Sequence, residues 1–247
     1  MTVQRRVNGQ PAFLLHHRPF RDTSLLLDVL SRDHGKIALV ARGARSAKSR
    51  LKGILRPFMP LSLSWVMRSD LGTLTGAELS GKPVTLSGDG LLSGYYLNEL
   101  ILHFLHRHDA QPEVFAAYHQ TVIELASQSS PAPVLRDFEM ELLRLIGYAL
   151  NFDHDAATRA DLEPDASYEY RYDQGPVKVS RNSGDMVFSG ELLIAIREHR
   201  FEEPDVLRAA NRLFRSIIAH HLGGRELKSR KVLVDLHRGR ARMSNPK

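Results

Sequence analysis

Cysteine is absent from the 247 residues. That excludes disulfides, a thiol nucleophile and a thiolate zinc site, and it suits a reducing cytosol. Apolar runs are short as well: nowhere do about 18 apolar residues follow one another, the minimum for a helical membrane span. The first ten residues carry Arg5 and Arg6 but lead into no apolar signal core. A cytoplasmic protein with no membrane contact is expected. A third scarcity is local. No acidic side chain lies between Asp33 and Asp70, whereas Lys36, Arg42, Arg45, Lys48, Arg50, Lys52, Arg56 and Arg68 do.

The densest part of that stretch reads Arg42-Gly-Ala-Arg45-Ser-Ala-Lys48-Ser-Arg50-Leu-Lys52-Gly-Ile-Leu-Arg56. Small residues separate most of the cations, so a flexible backbone is expected to present them. The natural counterpart is a polyanion, because each Lys or Arg that neutralises a phosphate releases a condensed counterion. A solvated basic loop is the plainer alternative. The net charge of +6 is concentrated here and in the residues after Leu222, which argues for a binding surface rather than general solubility. With 43% hydrophobic and 25% charged residues, the composition is that of a soluble globular protein long enough for one large or two modest domains.

The first third alternates with the period of strands. Ala12 to His17 precedes the turn-forming Arg18-Pro19, and Thr23 to Ser31 places Leu25, Leu27 and Val29 on one face. Asp33-His34-Gly35-Lys36 makes a tight hairpin turn into Ile37 to Ala41. Pro60 to Met67 and Gly72 to Leu79 complete a set of about five antiparallel strands, the pattern of a Greek-key OB-type barrel. The cationic run sits between two of them.

After Gly88 the period becomes helical. Leu91 to His106 is apolar on most sides, Val114 to Ala126 is a second helix, and Ser127 to Pro133 is a linker whose prolines block continuation. Leu135, Phe138, Leu142, Leu145 and Ala149 mark one face of a third helix. A polar, Asp-rich insertion covers about 151–190, with Tyr168-Glu-Tyr170-Arg-Tyr172 and Val177-Lys-Val179 as a possible hairpin. Ser189 then precedes a helix to His199, and Pro204 opens a last one closed by Gly223-Gly224. The fold class is α+β and multidomain: an OB-type barrel over 1–81 followed by a mainly helical domain over 82–247.

No catalytic constellation emerges. Gly76 to Pro83 falls one residue short of a phosphate-binding loop and has proline where the magnesium-ligating hydroxyl belongs. There is no GxSxG elbow and no HExxH pair. Among the 12 histidines, His16-His17 alternate across a strand, His220-His221 point to different sides of a helix, and Asp153-His154-Asp155 reads as a turn. Glu139 and Glu141 lie on different helix faces, and no carboxylate pair is confined as acid–base chemistry needs. The expectation is a binding protein, not an enzyme, with no cofactor and no metal.

The chain resembles a known family. Ala12-Phe-Leu-Leu-His with Arg18-Pro19, Thr23-Ser24-Leu25, Gly35-Lys36, Ala41-Arg42-Gly43-Ala44-Arg45, Leu51-Lys52-Gly53 and Leu55-Arg56-Pro57-Phe58 look like the barrel of the bacterial recombination mediator RecO family. Tyr96-Leu97-Asn98-Glu99-Leu100, Gly147-Tyr148 with Asn151-Phe152, and Leu222-Gly223-Gly224 before Leu227-Lys228-Ser229-Arg230 are similar to its helical part. The resemblance implies a DNA repair and recombination protein that binds single- and double-stranded DNA and anneals complementary strands. It also implies RecR as a partner and assistance to RecA loading on strands coated by single-strand-binding protein. Many members hold a four-cysteine zinc module after the position of Gly147-Tyr148. This chain cannot, so ordinary packing must hold its insertion.

On that reading Arg42, Arg45, Lys48, Arg50, Lys52 and Arg56 are the primary phosphate contacts, which position strands without reading sequence. Phe13, Phe58 or Trp65 stack a base or, more simply, fill the barrel core. Arg225, Lys228, Arg230 and Lys231, with Arg238, Arg240 and Arg242 beyond, either bind a second strand or form a solubilising tail. Arg136 and Arg144, beside Leu135, Leu142 and Leu145, are candidates for anchoring the acidic, apolar tail of single-strand-binding protein; a solvated arginine is the alternative. Two rival readings remain: an OB-fold adaptor using the basic run for an acidic protein surface, and an RNA-binding regulator.

Overall fold

Alternating apolar residues in the first third of the chain become the inside of a closed barrel. The computed structural model describes residues 5–148, 150–181, 184–229 and 231–232. Five strands, β1 (Arg5–Phe20), β2 (Ser24–Ser31), β3 (Gly35–Ala41), β4 (Leu61–Met67) and β5 (Leu71–Leu79), close in the order β1-β2-β3-β5-β4. Leu27, Val29, Ile37, Leu39, Leu61, Leu63 and Trp65 fill the interior, with Val7, Ala12 and Leu14 from β1. A four-residue helix, α1 (Leu51–Ile54), lies between β3 and β4.

Three strand expectations change. Arg18 and Pro19 do not turn but pair with Leu26 and Leu25 inside β1. β1 begins at Arg5, well before Ala12, because it serves two neighbours: Arg5 to Ala12 pair with β4 and Ala12 to Phe20 with β2. Its first half is polar, so no alternation marks it. Nor are all the pairs antiparallel. β3 and β5 run parallel, with Ala38 opposite Leu71 and Val40 opposite Thr73. The chain leaves β3, passes through the cationic run and a β4–β5 hairpin, and so returns beside β3 in the same direction.

The Asp33–Lys36 turn is locked from outside. Gly35 has φ +62, and a Cβ there would meet Asp109 O at 1.8 Å. Lys36 donates from Nζ to Leu102 O at 2.6 Å, and His108 N donates to Lys36 O at 3.0 Å. One of the cations singled out above is thus a structural tie. Gly35→Ala combines an unfavourable backbone with a backbone clash. It is expected to destabilise the chain by about 2–4 kcal/mol, measured by urea unfolding.

Contacts divide the chain into two compact units, Met1–Ser129 with the chain from Leu227, and Ser130–Glu226. The first holds the barrel with α2 (Gly88–Phe104) and α3 (Pro112–Ser127). The outer side of β1 is buried there too. Phe13 packs its ring 5.3 Å from Phe115 and 5.1 Å from Tyr118, and Asn98 Nδ2 donates to Leu15 O at 2.8 Å while its Oδ1 accepts from Tyr118 Oη at 2.6 Å. The middle of β1, Ala12 to Leu15, is therefore covered on both faces.

The second unit holds α4 (Pro131–Leu145), β6 (Ser167–Arg171), β7 (Gly175–Val179), β8 (Val187–Ser189), α5 (Gly190–Arg197) and α6 (Pro204–His221). Its three strands form a sheet in the order β7-β6-β8. The expected linker is shorter than Ser127 to Pro133, because Pro131 and Pro133 sit in the first turn of α4, where a missing N–H costs nothing. Of the apolar positions assigned to this helix, Ala149 lies outside the described residues. The Tyr168–Val179 hairpin forms as β6 and β7. Ser189 caps α5, its Oγ accepting from Leu192 N.

Candidate nucleic-acid interface

The cationic run is built as a strap. Ala44 and Leu55 are 1% and 5% exposed, and Leu51 and Ile54 pack against the same barrel cluster. Turns closed by Ser46 N to Gly43 O and Ser49 N to Ser46 O join these anchors. Arg45 N donates to Thr23 O at 2.8 Å, and its Nη1 reaches Arg21 O and Asp22 O, each at 3.3 Å. The expected flexible loop is corrected: apolar residues recur between the cations and pull the backbone onto the barrel. What remains outward is charge. Arg42, Arg45, Lys48, Arg50, Lys52 and Arg56 are all exposed.

The strap ends at Phe58, which adopts φ +67 and is 4% exposed. Its ring lies against α2: a Cβ at Gly94 would stand 2.8 Å from Phe58 Cε1, and Tyr95 packs edge-on at 5.3 Å. Phe13, Phe58 and Trp65 are all buried, so none offers a face for stacking, and Phe13 faces α3 rather than the barrel interior.

A different aromatic is partly exposed in a groove of the barrel. A groove of about 570 Å³ at one end of the barrel is lined by Phe20, Arg21, Thr23, Arg42, Leu71 and Thr73, among others. Phe20 is partly exposed, with Arg21 Cζ 5.4 Å from its ring centre. The signal for Phe20 was present in the sequence as an aromatic between Arg18-Pro19 and Arg21 at a turn.

The C-terminal cations divide. Arg225 is exposed and belongs to the second unit. Lys228 and Lys231 are exposed and belong with the barrel, while Arg230, Arg238, Arg240 and Arg242 lie outside the described residues. Glu99 of α2 anchors this segment. Its Oε1 accepts from Lys228 N at 2.9 Å, and its Oε2 from Ser229 N at 2.9 Å and Ser229 Oγ at 2.5 Å. Burial disfavours the Glu99 carboxylate, but these donors outweigh it and hold its pKa below the ordinary value. Tyr95 and Glu99 are one turn apart and share a face of α2. The end of the strap and the Lys228 segment therefore meet the same helix face.

A depressed carboxylate pKa stabilises above the unfolded value of about 4.3 and is lost as pH falls through the folded value. The Lys228 tie should accordingly hold at neutral pH and release in acid. Glu99→Gln weakens the same contacts, and trypsin should then cleave after Lys228 about tenfold or more faster, since cleavage tracks the population of the open segment.

Arg136 and Arg144 have opposite settings. Arg144 is exposed and forks onto Glu141, with both bonds at 2.8 Å. Arg136 is buried. Its Nη1 donates to Asn211 Oδ1 and its Nη2 to Glu139 Oε1, both at 2.5 Å, tying α4 to α6. Glu139 is 1% exposed, so the two carboxylates that lie on different faces are one interior and one solvated.

The insertion is held by a buried carboxylate. Asp155 is 2% exposed. Its Oδ1 accepts from Ala157 N at 2.7 Å and Thr158 N at 3.0 Å, and its Oδ2 from Lys178 N at 2.8 Å. Asn151 Oδ1 accepts from Asp153 N and His154 N, so the Asp153–Asp155 triplet is a turn. These oxygens accept from backbone donors, and the region has no cysteine, so it cannot form the four-cysteine zinc module that many members of the resembled family hold. The near phosphate-loop is likewise structural: its Gly76 to Leu79 belong to β5, and no helix starts until Gly88. His220 and His221 depart from expectation. Both approach Asp173, at 3.7 and 3.9 Å, because that residue is brought to the end of α6 by the β6–β7 turn.

A closed OB-like barrel with exposed cations along the strap between β3 and β4, followed by a mainly helical part, defines an α+β protein of the small-barrel class. The family model for the N-terminal part of recombination protein O matches residues 7–82, and that for its C-terminal part matches residues 86–231. The DNA repair protein RecO of Dechloromonas aromatica (strain RCB) is 40% identical over 240 residues, covering 96% of this chain and 99% of that one. The RecO proteins of Burkholderia pseudomallei (strain 1710b) and Azoarcus sp. (strain BH72) are 42% and 41% identical, covering 86% and 99% of their own lengths. The chain belongs to the RecO family of DNA repair proteins. No helix among the described residues is long and apolar enough to cross a membrane.

Proposed function

We propose that the protein binds single- and double-stranded DNA on its barrel and anneals complementary strands, including strands coated by single-strand-binding protein. With RecR it assists RecA loading; no bond is made or broken in this role. The observation that carries the reading is the strap: six exposed cations with no carboxylate among them, held by buried Ala44 and Leu55 beside the Phe20 groove. Annealing needs two phosphate backbones neutralised while the bases stay open to pairing. Contacts to phosphate rather than to base edges supply that. Lys228, on the α2 face that also receives the end of the strap, and the exposed Lys231 extend the cationic surface for a second strand. Arg225 is a further phosphate contact.

The tail of single-strand-binding protein is proposed to dock on the helical part. Arg144 faces solvent and can turn from Glu141 toward such a tail, and Arg136 supports that site by fixing α4 on α6. A groove of about 550 Å³ between α5 and α6 offers Leu192, Val206 and Ala209, with Arg200, Arg208 and Arg212 at its rim beside the carboxylates of Glu191, Glu203 and Asp205. Two substitutions separate these roles. Arg45/Lys48/Arg50/Lys52→Ala is expected to slow annealing of complementary oligonucleotides by at least about tenfold while leaving tail-peptide binding unchanged, because every phosphate partner removed weakens DNA affinity at moderate salt. Arg144→Ala should do the reverse, weakening the tail peptide and sparing annealing. Equal annealing by the wild type and the fourfold variant would remove the strap from the mechanism. Competition between DNA and RNA for the strap separates the RNA-regulator reading from the one adopted here.

A further inference from the structure

The turn between β6 and β7 places Asp173 at φ +60, a conformation that asparagine and aspartate tolerate better than other non-glycine residues. At the other end of the second unit's fold, α6 finishes in His220-His221 before Gly223 and Gly224, both at positive φ. The turn delivers the Asp173 carboxylate between the two imidazoles. Nε2 of His220 lies 3.7 Å from Oδ2, and Nε2 of His221 lies 3.9 Å from Oδ1. One donor atom from each of the three residues lies within 4.8 Å of the others.

These separations are too long for hydrogen bonds. They are close to the edge of a zinc tetrahedron, roughly 3.3 Å for bonds of about 2.0 Å. Neither ring is loose. His221 stacks on Tyr148 with centroids 3.8 Å apart, and His220 stacks on Tyr172 at 4.1 Å and 7°. Tyr172 is fixed in turn, its hydroxyl 2.6 Å from Ser216 Oγ, one turn back along α6. The carbonyl end of α6 carries partial negative charge, which favours a cation there.

We propose that Asp173, His220 and His221 form a binding site for a zinc-class divalent cation, which staples the β6–β7 turn to the last turn of α6. Two imidazole nitrogens and one carboxylate oxygen are a donor set zinc accepts, and water completes the fourth position. The site is independent of the DNA surface and does not rest on the proposed function.

Zn²⁺ titrated calorimetrically into the full chain should bind as one ion per molecule and raise its Tm. Co²⁺ in its place should develop the visible absorption of a four-coordinate site. Asp173→Asn keeps the left-handed turn while removing the charge, and His220→Ala removes an exposed ring. Each should weaken Zn²⁺ binding about tenfold or more, with the metal-free circular dichroism spectrum unchanged. Absence of Zn²⁺ binding by the wild type overturns the proposal. So does undiminished binding by Asp173→Asn, which would place the ion on other histidines such as His16-His17. Should His220→Ala fail to fold, Asp173→Asn decides alone.

Discussion

Glu139→Ala is expected to destabilise the chain by about 3–5 kcal/mol, because it leaves a buried arginine without its carboxylate. The two side chains are 8% and 1% exposed, and the same guanidinium also reaches Asn211 on α6. Arg136 therefore contributes to packing of α4 on α6, and removing either partner leaves charge in the interior. Replacing both at once, as Arg136→Met with Glu139→Leu, should recover most of the loss, since an apolar pair of similar volume escapes the desolvation cost. Arg144→Ala is the contrast. Its pair with Glu141 is solvated, and the change should cost less than about 1 kcal/mol. Urea unfolding of these variants checks the series, and it bears on partner binding. A loss of tail-peptide affinity in Arg144→Ala would be a direct effect, whereas the same loss in Arg136→Ala would carry the destabilisation with it.

Asp155→Ala should have a comparable effect on the second unit, about 3–5 kcal/mol, by orphaning the amides of Ala157, Thr158 and Lys178. Asp155→Asn keeps one acceptor oxygen and should lose roughly half as much. The sign of the pH dependence follows from the carboxylate. Burial raises its pKa, the three backbone donors lower it more, and the net value lies below the ordinary one. Its contribution is thus complete above an unfolded pKa of about 3.9 and fades as pH falls through the folded value. The variant should consequently be less sensitive to acid than the wild type below about pH 4. The only tryptophan is Trp65, inside the barrel. Its fluorescence reports the barrel, and circular dichroism reports the helices, so the two signals should separate in Asp155→Ala.

The barrel was legible because period-2 alternation survives wherever one face of a strand is buried. Leu61, Leu63 and Trp65 show it plainly. The polar first half of β1 did not, since its place in the barrel comes from pairing with β4 rather than from its own pattern. The parallel contact of β3 with β5 is a property of closure and has no local signature. The cations of the strap were legible as charge, but not their mounting; Ala44, Leu51 and Leu55 look like spacers until the barrel beneath them is known. Asn98 and Glu99 stood out only through resemblance. The structure gives their physical reason: one satisfies a β1 carbonyl and the other holds the Lys228 segment. The long-range meetings were beyond a one-dimensional reading. Asp173 with His220 and His221, and Asp155 with Lys178, depend on a hairpin whose register the sequence does not specify.

The central claim is that DNA is held by the strap. Fluorescence anisotropy of a labelled single-stranded oligonucleotide across a salt series tests it most directly, with the wild type beside Arg45/Lys48/Arg50/Lys52→Ala. Engagement of about four strap cations gives a log–log slope near −3, or about a fiftyfold loss of affinity between roughly 50 and 200 mM salt. The variant should bind more weakly across this salt range, with a slope flattened to roughly −1, since only Arg42 and Arg56 of the strap remain. A variant that kept both the affinity and the slope of the wild type would contradict the account and move the DNA to the cations after Leu222.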